Sequence, residues 1–300
     1  MECALVETKP MSRRNWFLFI LIGFLWGIPY LLIKVAVDEL SPTIIVLSRV
    51  VIGSLILIPM AMRLGSLMPA IKAWRFVIPY AIGEMVGPWF LITAAEEDIS
   101  SGLAGLLVAT VPIWATLIAS MHGDKTVWQR KRLFGILIGF IGIVLVVGIE
   151  SFSGRQSIVA IFMILIAAIG YAWAVSMVTT KIPHIEPISM NAVAMVFTMI
   201  VYLPFLFIHA PEKTPSAEAM GSVIILGNLP NCTGFHSFLP TYQDIGTARG
   251  SLVTYLNTAF AVMLGVIILN EPFTLGIAIG LPMVLIGSYF ASRKVITSVQ

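Results

Sequence analysis

Ten apolar runs divide this chain, at roughly 16–36, 43–62, 76–95, 100–121, 133–149, 157–178, 188–208, 220–242, 247–268 and 273–291. Each is long enough to cross a bilayer, for which a helix needs about 20 mostly apolar residues. Hydrocarbon offers no partner to a backbone N–H or C=O, so only helices and closed barrels span it. The runs are continuous rather than alternating ten-residue strands, which predicts helices. The expected fold is therefore an all-α polytopic membrane protein with ten transmembrane helices. Hydrophobic residues make up 58% of the chain and charged ones 11%. Soluble domains carry roughly a quarter charged residues, so the bilayer is most of this chain's solvent.

The basic residues sort by loop. Counting gaps alternately from the N-terminus, one side holds Lys9, Arg13, Arg14, Arg63, Lys72, Arg75, Lys125, Arg130, Lys131, Arg132, Lys181, Arg249, Arg293 and Lys294. The other holds Lys34, Arg155 and Lys213, and Arg49 falls inside a run. Basic loops stay cytoplasmic, so both termini are expected inside. The net charge of +3 comes from these loops and implies no nucleic-acid partner. Residues 1–15 precede a full-length run with no small-residue cleavage site, which predicts a first helix rather than a removable leader. Cys3 and Cys232 are not expected to pair, since Cys3 lies in a reducing compartment.

The chain also repeats. At an offset of about 145 residues, Pro42 falls on Pro187, Trp26 on Tyr171, Gly135 on Gly280 and Gly142 on Gly287. The run Ile99–Ser120 lies over Ile245–Val266 at a slightly larger offset. Each half holds five spans, an odd number, so the second copy is expected upside down relative to the first. The expected organisation is a cytoplasmic tail (1–15), one five-helix repeat (16–149), an inverted second (157–291) and a second tail (292–300). Inverted repeats build many secondary transporters, with the solute bound near the midplane between the halves.

The chain resembles the EamA type of the drug/metabolite transporter superfamily over about residues 16–291. The resemblance rests on Gly23-Phe24-Leu25-Trp26-Gly27 followed by Lys34, on Ser41-Pro42 and Arg49, on Pro112, and on Leu269-Asn270-Glu271-Pro272-Phe273-Thr274. Two positions depart from the family pattern: Asp124 stands where the first repeat usually has Glu, and Thr258 stands opposite Pro112 where the second usually has Pro. The resemblance implies export of amino-acid-like solutes across a bacterial inner membrane. It also implies that the first, third, fourth, sixth and ninth helices line the pathway.

Ionisable groups inside a membrane are unfavourable, by about 2.5–3.5 kcal/mol on insertion scales, so each one is informative. Glu84 lies mid-span between Gly83 and Gly87 and fits either a solute amine or a coupling proton. Arg49 fits a carboxylate or a helix-end anchor. Lys34 is expected to snorkel to the interface, Glu271 to cap the last helix beside Pro272, and Glu96-Glu97-Asp98 to form a solvated acidic run. Trp26, Tyr30, Trp89, Trp114, Tyr171, Trp173 and Tyr255, with Asn257, are the candidate solute-binding residues. An aromatic, mostly apolar lining with few polar groups suits a small amphipathic molecule. Gly135-x-x-x-Gly139 and Gly276-x-x-x-Gly280 make close-packing seams that would also fit a second copy in a homodimer. Pro29, Pro59, Pro79, Pro88, Pro112, Pro204 and Pro282 interrupt spans, and a kink in the third or fourth would serve as a gate hinge.

The eighth run is irregular. Residues 227–243 carry two prolines, two asparagines and a histidine. Two readings stand: a broken helix lining a cavity, or a compensated frameshift, since a suitable choice of codons read one base later gives an ordinary apolar helix. Motifs of hydrolases, metalloproteases and nucleotide-binding loops are absent from the sequence, and no cofactor is implied. A secondary carrier of a small organic solute is expected. A sensor, scaffold or intramembrane enzyme is the other class, and a facilitative channel a third.

Overall fold

The computed structural model describes residues 13–123, 128–152, 157–209, 211, 213–228 and 253–292. Among these residues all regular structure is helical. The first two spans are α1 (Arg13–Val37) and α2 (Pro42–Arg63), and a short helix not expected from the sequence follows, α3 (Leu67–Lys72). The third span is assembled from α4 (Trp74–Ala81), a π-helical turn (Ile82–Val86) and α5 (Gly87–Ala95), and the fourth from α6 (Ser101–Val108) and α7 (Val111–Met121). Then come α8 (Arg130–Phe152), α9 (Ile158–Lys181) and α10 (Pro187–Tyr202), the last prolonged by a 3₁₀ turn, Leu203–Leu206. The remainder is α11 (Ala217–Asn228), α12 (Val253–Ile268) and α13 (Leu275–Ser292). Among the described residues, seven spans are long and apolar enough to cross a membrane, with shorter apolar helices at Tyr255–Ile268 and Leu275–Ala291. The eighth run is helical as far as Asn228; the rest of it, and Asp124, lie outside the described residues.

The exposed side chains mark the faces open to lipid. On α9, Phe162, Ile166, Ile169 and Trp173 are exposed at helical spacing, while Ile161, Ile164, Ala168 and Ala172 are buried. An apolar stripe left outside on a helix whose other face is also apolar is what a hydrocarbon solvent permits. Two buried hydroxyls are satisfied within their own helices: Thr93 Oγ1 donates to Trp89 O (2.6 Å) and Thr198 Oγ1 to Ala194 O (2.8 Å).

The packing repeats when each span is replaced by its counterpart one repeat later. α1 packs on α12 and α11, and its counterpart α9 packs on α6, α7 and α5. α2 packs on α11, and its counterpart α10 packs on α4. The pairs α2–α10 and α8–α13 map onto themselves. The α8–α13 pair is the tightest. A Cβ built on Gly287 would lie 2.4 Å from Gly139 N, one on Gly135 2.5 Å from Ala291 N, and one on Gly280 1.9 Å from Val146 Cγ2. The glycine seams expected to suit a second copy are therefore covered within one chain.

Only some prolines break their helices. α1, α2, α4 and α13 run through Pro29, Pro59, Pro79 and Pro282. Breaks fall at Pro88, Pro112 and Pro204, where a new helix or turn starts with proline in its first turn. Proline is tolerated there because its missing N–H is one no helix start needs. The third, fourth and seventh spans are thus the jointed ones.

Candidate functional site

Proline 88 shapes the first element of the site. The N–H of Gly87 reaches back to Ile82 O, five residues away, and Pro88 has no N–H to offer Glu84. The chain accommodates this as a π turn, a feature frequent at functional sites, and Glu84 sits at its centre. The loosened backbone is stitched from across the bundle, where the Tyr202 hydroxyl donates to Val86 O at 2.7 Å. Two glycines bring α9 against the turn: a Cβ on Gly170 would lie 2.9 Å from Gly83 O.

Arg49 enters the same region from α2. Its guanidinium carbon lies 3.5 Å from the centroid of the Trp89 ring. A desolvated cation on an indole face gains about 2 kcal/mol or more, which offsets much of the penalty of leaving water. The Tyr171 hydroxyl lies beside the Trp89 indole. Tyr30, Tyr171 and Glu84 are all within electrostatic reach of Arg49. Tyr80 is within reach of Glu84, and its hydroxyl donates to Asn191 Oδ1 at 3.0 Å. Two atoms in this cluster stay buried without a hydrogen-bond partner, Arg49 Nε and Glu84 Oε2. Buried polar atoms are nearly always paired. A free cationic donor and a free acidic acceptor in one aromatic cluster are chemically matched to a small molecule bearing both an amine and a carboxylate.

The acidic end of the bundle departs from expectation at three residues. Lys34 does not snorkel: its Nζ donates to Glu96 O, and to Ile99 O at 3.0 Å, clamping the turn between α5 and α6. Glu96 is not part of a solvated run but is fully buried, while Glu97 and Asp98 are exposed. Glu271 does not cap α13. Its carboxylate accepts from Ser101 N (2.7 Å), Ser101 Oγ (3.0 Å) and Gly102 N (3.1 Å), which caps α6 in the other repeat. Negative charge is favoured at that positive helix end. Gly265 makes room for it, since a Cβ there would meet Glu271 Oε2 at 2.2 Å. Two clefts open at this end. One, of about 370 Å³, is lined by Lys34, Asp38, Glu39, Glu218 and Glu271. The other, of about 450 Å³, is lined by Thr43, Phe90, Glu97, Tyr202, Phe205 and His209. Hydrogen bonds from Ser216 hold the Glu39 carboxyl below its usual range, tying the α1–α2 turn to the segment before α11.

Of the residues singled out from sequence, Tyr30, Glu84, Trp89 and Tyr171 are brought together around Arg49. Trp26, Tyr255 and Asn257 lie along the seam of α1 and α12, where Gly23 and Gly27 allow backbone approach. Asn257 is buried with Oδ1 unpartnered. Trp114 is held elsewhere, its indole donating to Thr110 Oγ1 (3.1 Å) and its ring edge-on to Phe140. Trp173 lies at the edge of the exposed stripe of α9, at 39% exposure, with its ring against the far side of the π turn at Gly83. Tyr80, Asn191 and Tyr202 were missed by sequence reasoning; a polar group at mid-span was the available signal for Asn191. Thr258, the departure from the family pattern, donates to Gly105 O at 3.2 Å within an unbroken α12.

These features define an all-helical, multi-pass membrane protein whose two halves pack as copies of one unit around a charged, aromatic cluster. The chain belongs to the EamA-like transporter family, which it matches over residues 14–148 and 158–293, once per repeat. It is 25% identical over 281 residues to an uncharacterized transporter of Archaeoglobus fulgidus, covering 94% of this chain and 99% of that one. It is 23% identical over 264 residues, 87% of each chain, to a probable terminal-alkyne amino-acid exporter of Streptantibioticus cattleyicolor. A solved crystal structure shares the fold with a TM-score of 0.63 and 17% identity, over 93% of this chain and 98% of that one.

Proposed function

We propose that this chain is a secondary carrier that exports a small zwitterionic, amphipathic metabolite of the amino-acid type. Arg49 holds the carboxylate, Glu84 the ammonium, and Trp89, Tyr30 and Tyr171 the apolar part. The observation that carries the reading is the pair of buried, unpartnered atoms, Arg49 Nε and Glu84 Oε2, in one aromatic cluster. A relative named as an amino-acid exporter supports the solute class. Ten spans in two inverted five-helix repeats, both termini cytoplasmic, in a bacterial inner membrane, complete the reading. The exchange-symmetric packing of α1, α2, α9 and α10 supports alternating access, because two inverted copies interconvert inward and outward shapes by swapping conformations.

The test is counterflow in proteoliposomes of the purified full chain. Labelled L-phenylalanine is the probe, with phenethylamine (no carboxylate) and 3-phenylpropionate (no amine) as competitors. The wild type should be blocked best by unlabelled L-phenylalanine. Arg49→Gln should erase its advantage over phenethylamine, and Glu84→Gln its advantage over 3-phenylpropionate, with both variants still inserted. Equal competition by all three compounds in the wild type refutes zwitterion recognition, and absence of counterflow refutes the carrier.

A further inference from the structure

One buried acid has no part in that scheme. Glu96 follows α5 directly, its side chain fully inaccessible and both carboxyl oxygens without a hydrogen-bond partner. The donors around it are engaged elsewhere. Lys34 Nζ is bonded to the main-chain oxygens of Glu96 and Ile99, and Ser101 N, Ser101 Oγ and Gly102 N are bonded to Glu271. A carboxylate in this place would be an unsolvated, unpaired charge, which proteins avoid by neutralising the group. Among the described residues, the ionisable groups facing it are Lys34 and Tyr30 on α1 and Glu271 from the segment after α12, while Glu97 and Asp98 on its own turn are exposed. Burial pushes its carboxyl well above the usual range, against the pull of Lys34 and with the push of Glu271.

Its position lies between water and the solute cluster. Lys34 and Glu271 line the cleft of about 370 Å³, with Asp38, Glu39 and Glu218 at the same rim. On the inner side, Tyr30, one helical turn from Lys34, is within electrostatic reach of both Glu96 and Arg49.

We propose that Glu96 is a proton-binding site, loaded and emptied through the acidic cleft, that couples proton movement to the carrier's cycle. The proposal rests on the carrier reading above. The neutral form would carry the proton on one carboxyl oxygen and leave Lys34 on the two carbonyls, where the structure has it. Release breaks that O–H bond, sends the proton to water in the cleft, and leaves a carboxylate beside an ammonium. Lys34 then turns from Glu96 O and Ile99 O to the carboxylate. That frees the turn joining α5 to α6, the joint between two of the broken spans. Proton occupancy thereby sets whether the third and fourth spans are clamped to α1.

Infrared spectroscopy of the full chain in lipid tests this without a solute. The wild type should show a protonated carboxylic-acid band at neutral pH that disappears on alkalinisation. Glu96→Gln should remove a component of the band that Glu84→Gln leaves in place. Lys34→Met, which leaves the acid in place, should move the band's disappearance to higher pH. A neutral-pH band unaffected by Glu96→Gln, or no band in the wild type, overturns the proposal. In proteoliposomes, Glu96→Gln should keep L-phenylalanine counterflow but lose the extra flux driven by a pH gradient; an undiminished gradient response overturns it. Failure of counterflow in the wild type would count against the carrier alone, since the infrared arm still decides the proton site.

Discussion

Removing the Glu271 carboxylate should loosen the contact between the two repeats. Its oxygens receive three donors from the first turn of α6, at 2.7, 3.0 and 3.1 Å. A hydrogen bond to a charged group is worth about 1.5–3 kcal/mol net, and an acid at a helix N-terminus about 0.3–1 kcal/mol more. Glu271 also lines a cleft, so water replaces part of what is lost. The expected loss for Glu271→Ala is therefore about 2–3 kcal/mol rather than the sum of three bonds. Glu271→Gln keeps one acceptor oxygen but loses the charge, for about 1 kcal/mol. Gly265→Ala should mimic Glu271→Ala, because the new Cβ would stand 2.2 Å from Glu271 Oε2 and evict it. Once the carboxylate is gone, the methyl meets only the Ser101 hydroxyl, at 2.7 Å, which can turn away when it has lost its acceptor, so the double variant should lose less than the sum of the two single ones. Tryptophan-fluorescence melting of the four proteins in detergent gives the cycle. Additive losses, or an unchanged midpoint in Glu271→Ala, would refute the cross-repeat cap.

Other outcomes follow from the same geometry. Gly287→Ala should destabilise by about 1–3 kcal/mol, because its Cβ meets the Gly139 backbone at 2.4 Å, where no rotamer yields; midpoint melting checks it. Glu96 has an ordinary value of 4.5 and a raised folded one. Between the two, the folded chain holds a proton the unfolded chain has released, so stability is full below 4.5 and falls as pH rises toward the folded value. Glu96→Gln should remove that slope, and its melting point should gain on the wild type with increasing pH. Trp89→Ala should abolish probe transport by removing the face under Arg49, whereas Trp173→Ala, at the edge of the lipid stripe, should retain it. Equal loss in the two variants would disprove the separation of cluster from lipid face.

The spans were legible because hydropathy acts over twenty residues and needs no tertiary information. The duplication was legible too, since Pro42 and Pro187 both sit at helix starts. The roles of single polar residues were not, because they depend on which helix arrives opposite. Glu271 reads locally as the cap of the helix it precedes, and only the fold delivers α6 to it. Glu96 reads as one of three solvated acids, and only the approach of α1 buries it. The aromatic candidates divide for the same reason. Tyr171 and Trp173 are two residues apart, roughly 200° around a helix, so one faces Arg49 and the other the edge of the lipid stripe.

The pair α2–α10 also reveals which end of the bundle is tighter. The exchange that maps α2 onto α10 carries the contact between the end of α2 and the start of α10 onto the contact between the end of α10 and the start of α2. At the basic end the first is closed, Ser66 Oγ to Ser189 Oγ at 2.6 Å. At the acidic end the second is longer, Thr43 Oγ1 to His209 Nδ1 at 3.3 Å, with a cleft of about 450 Å³ beside it. Two places equivalent by the repeat are thus unequal in this conformation. An alternating carrier needs that inequality and must be able to reverse it. In a Cys3→Ser, Cys232→Ser background, the pair Ser66→Cys and Ser189→Cys should oxidise readily in the resting protein and arrest counterflow. Thr43→Cys with His209→Cys should oxidise slowly at rest and faster once L-phenylalanine is cycling. If both pairs oxidise alike with and without the probe, the two ends do not alternate, and the inequality is a fixed feature of the fold.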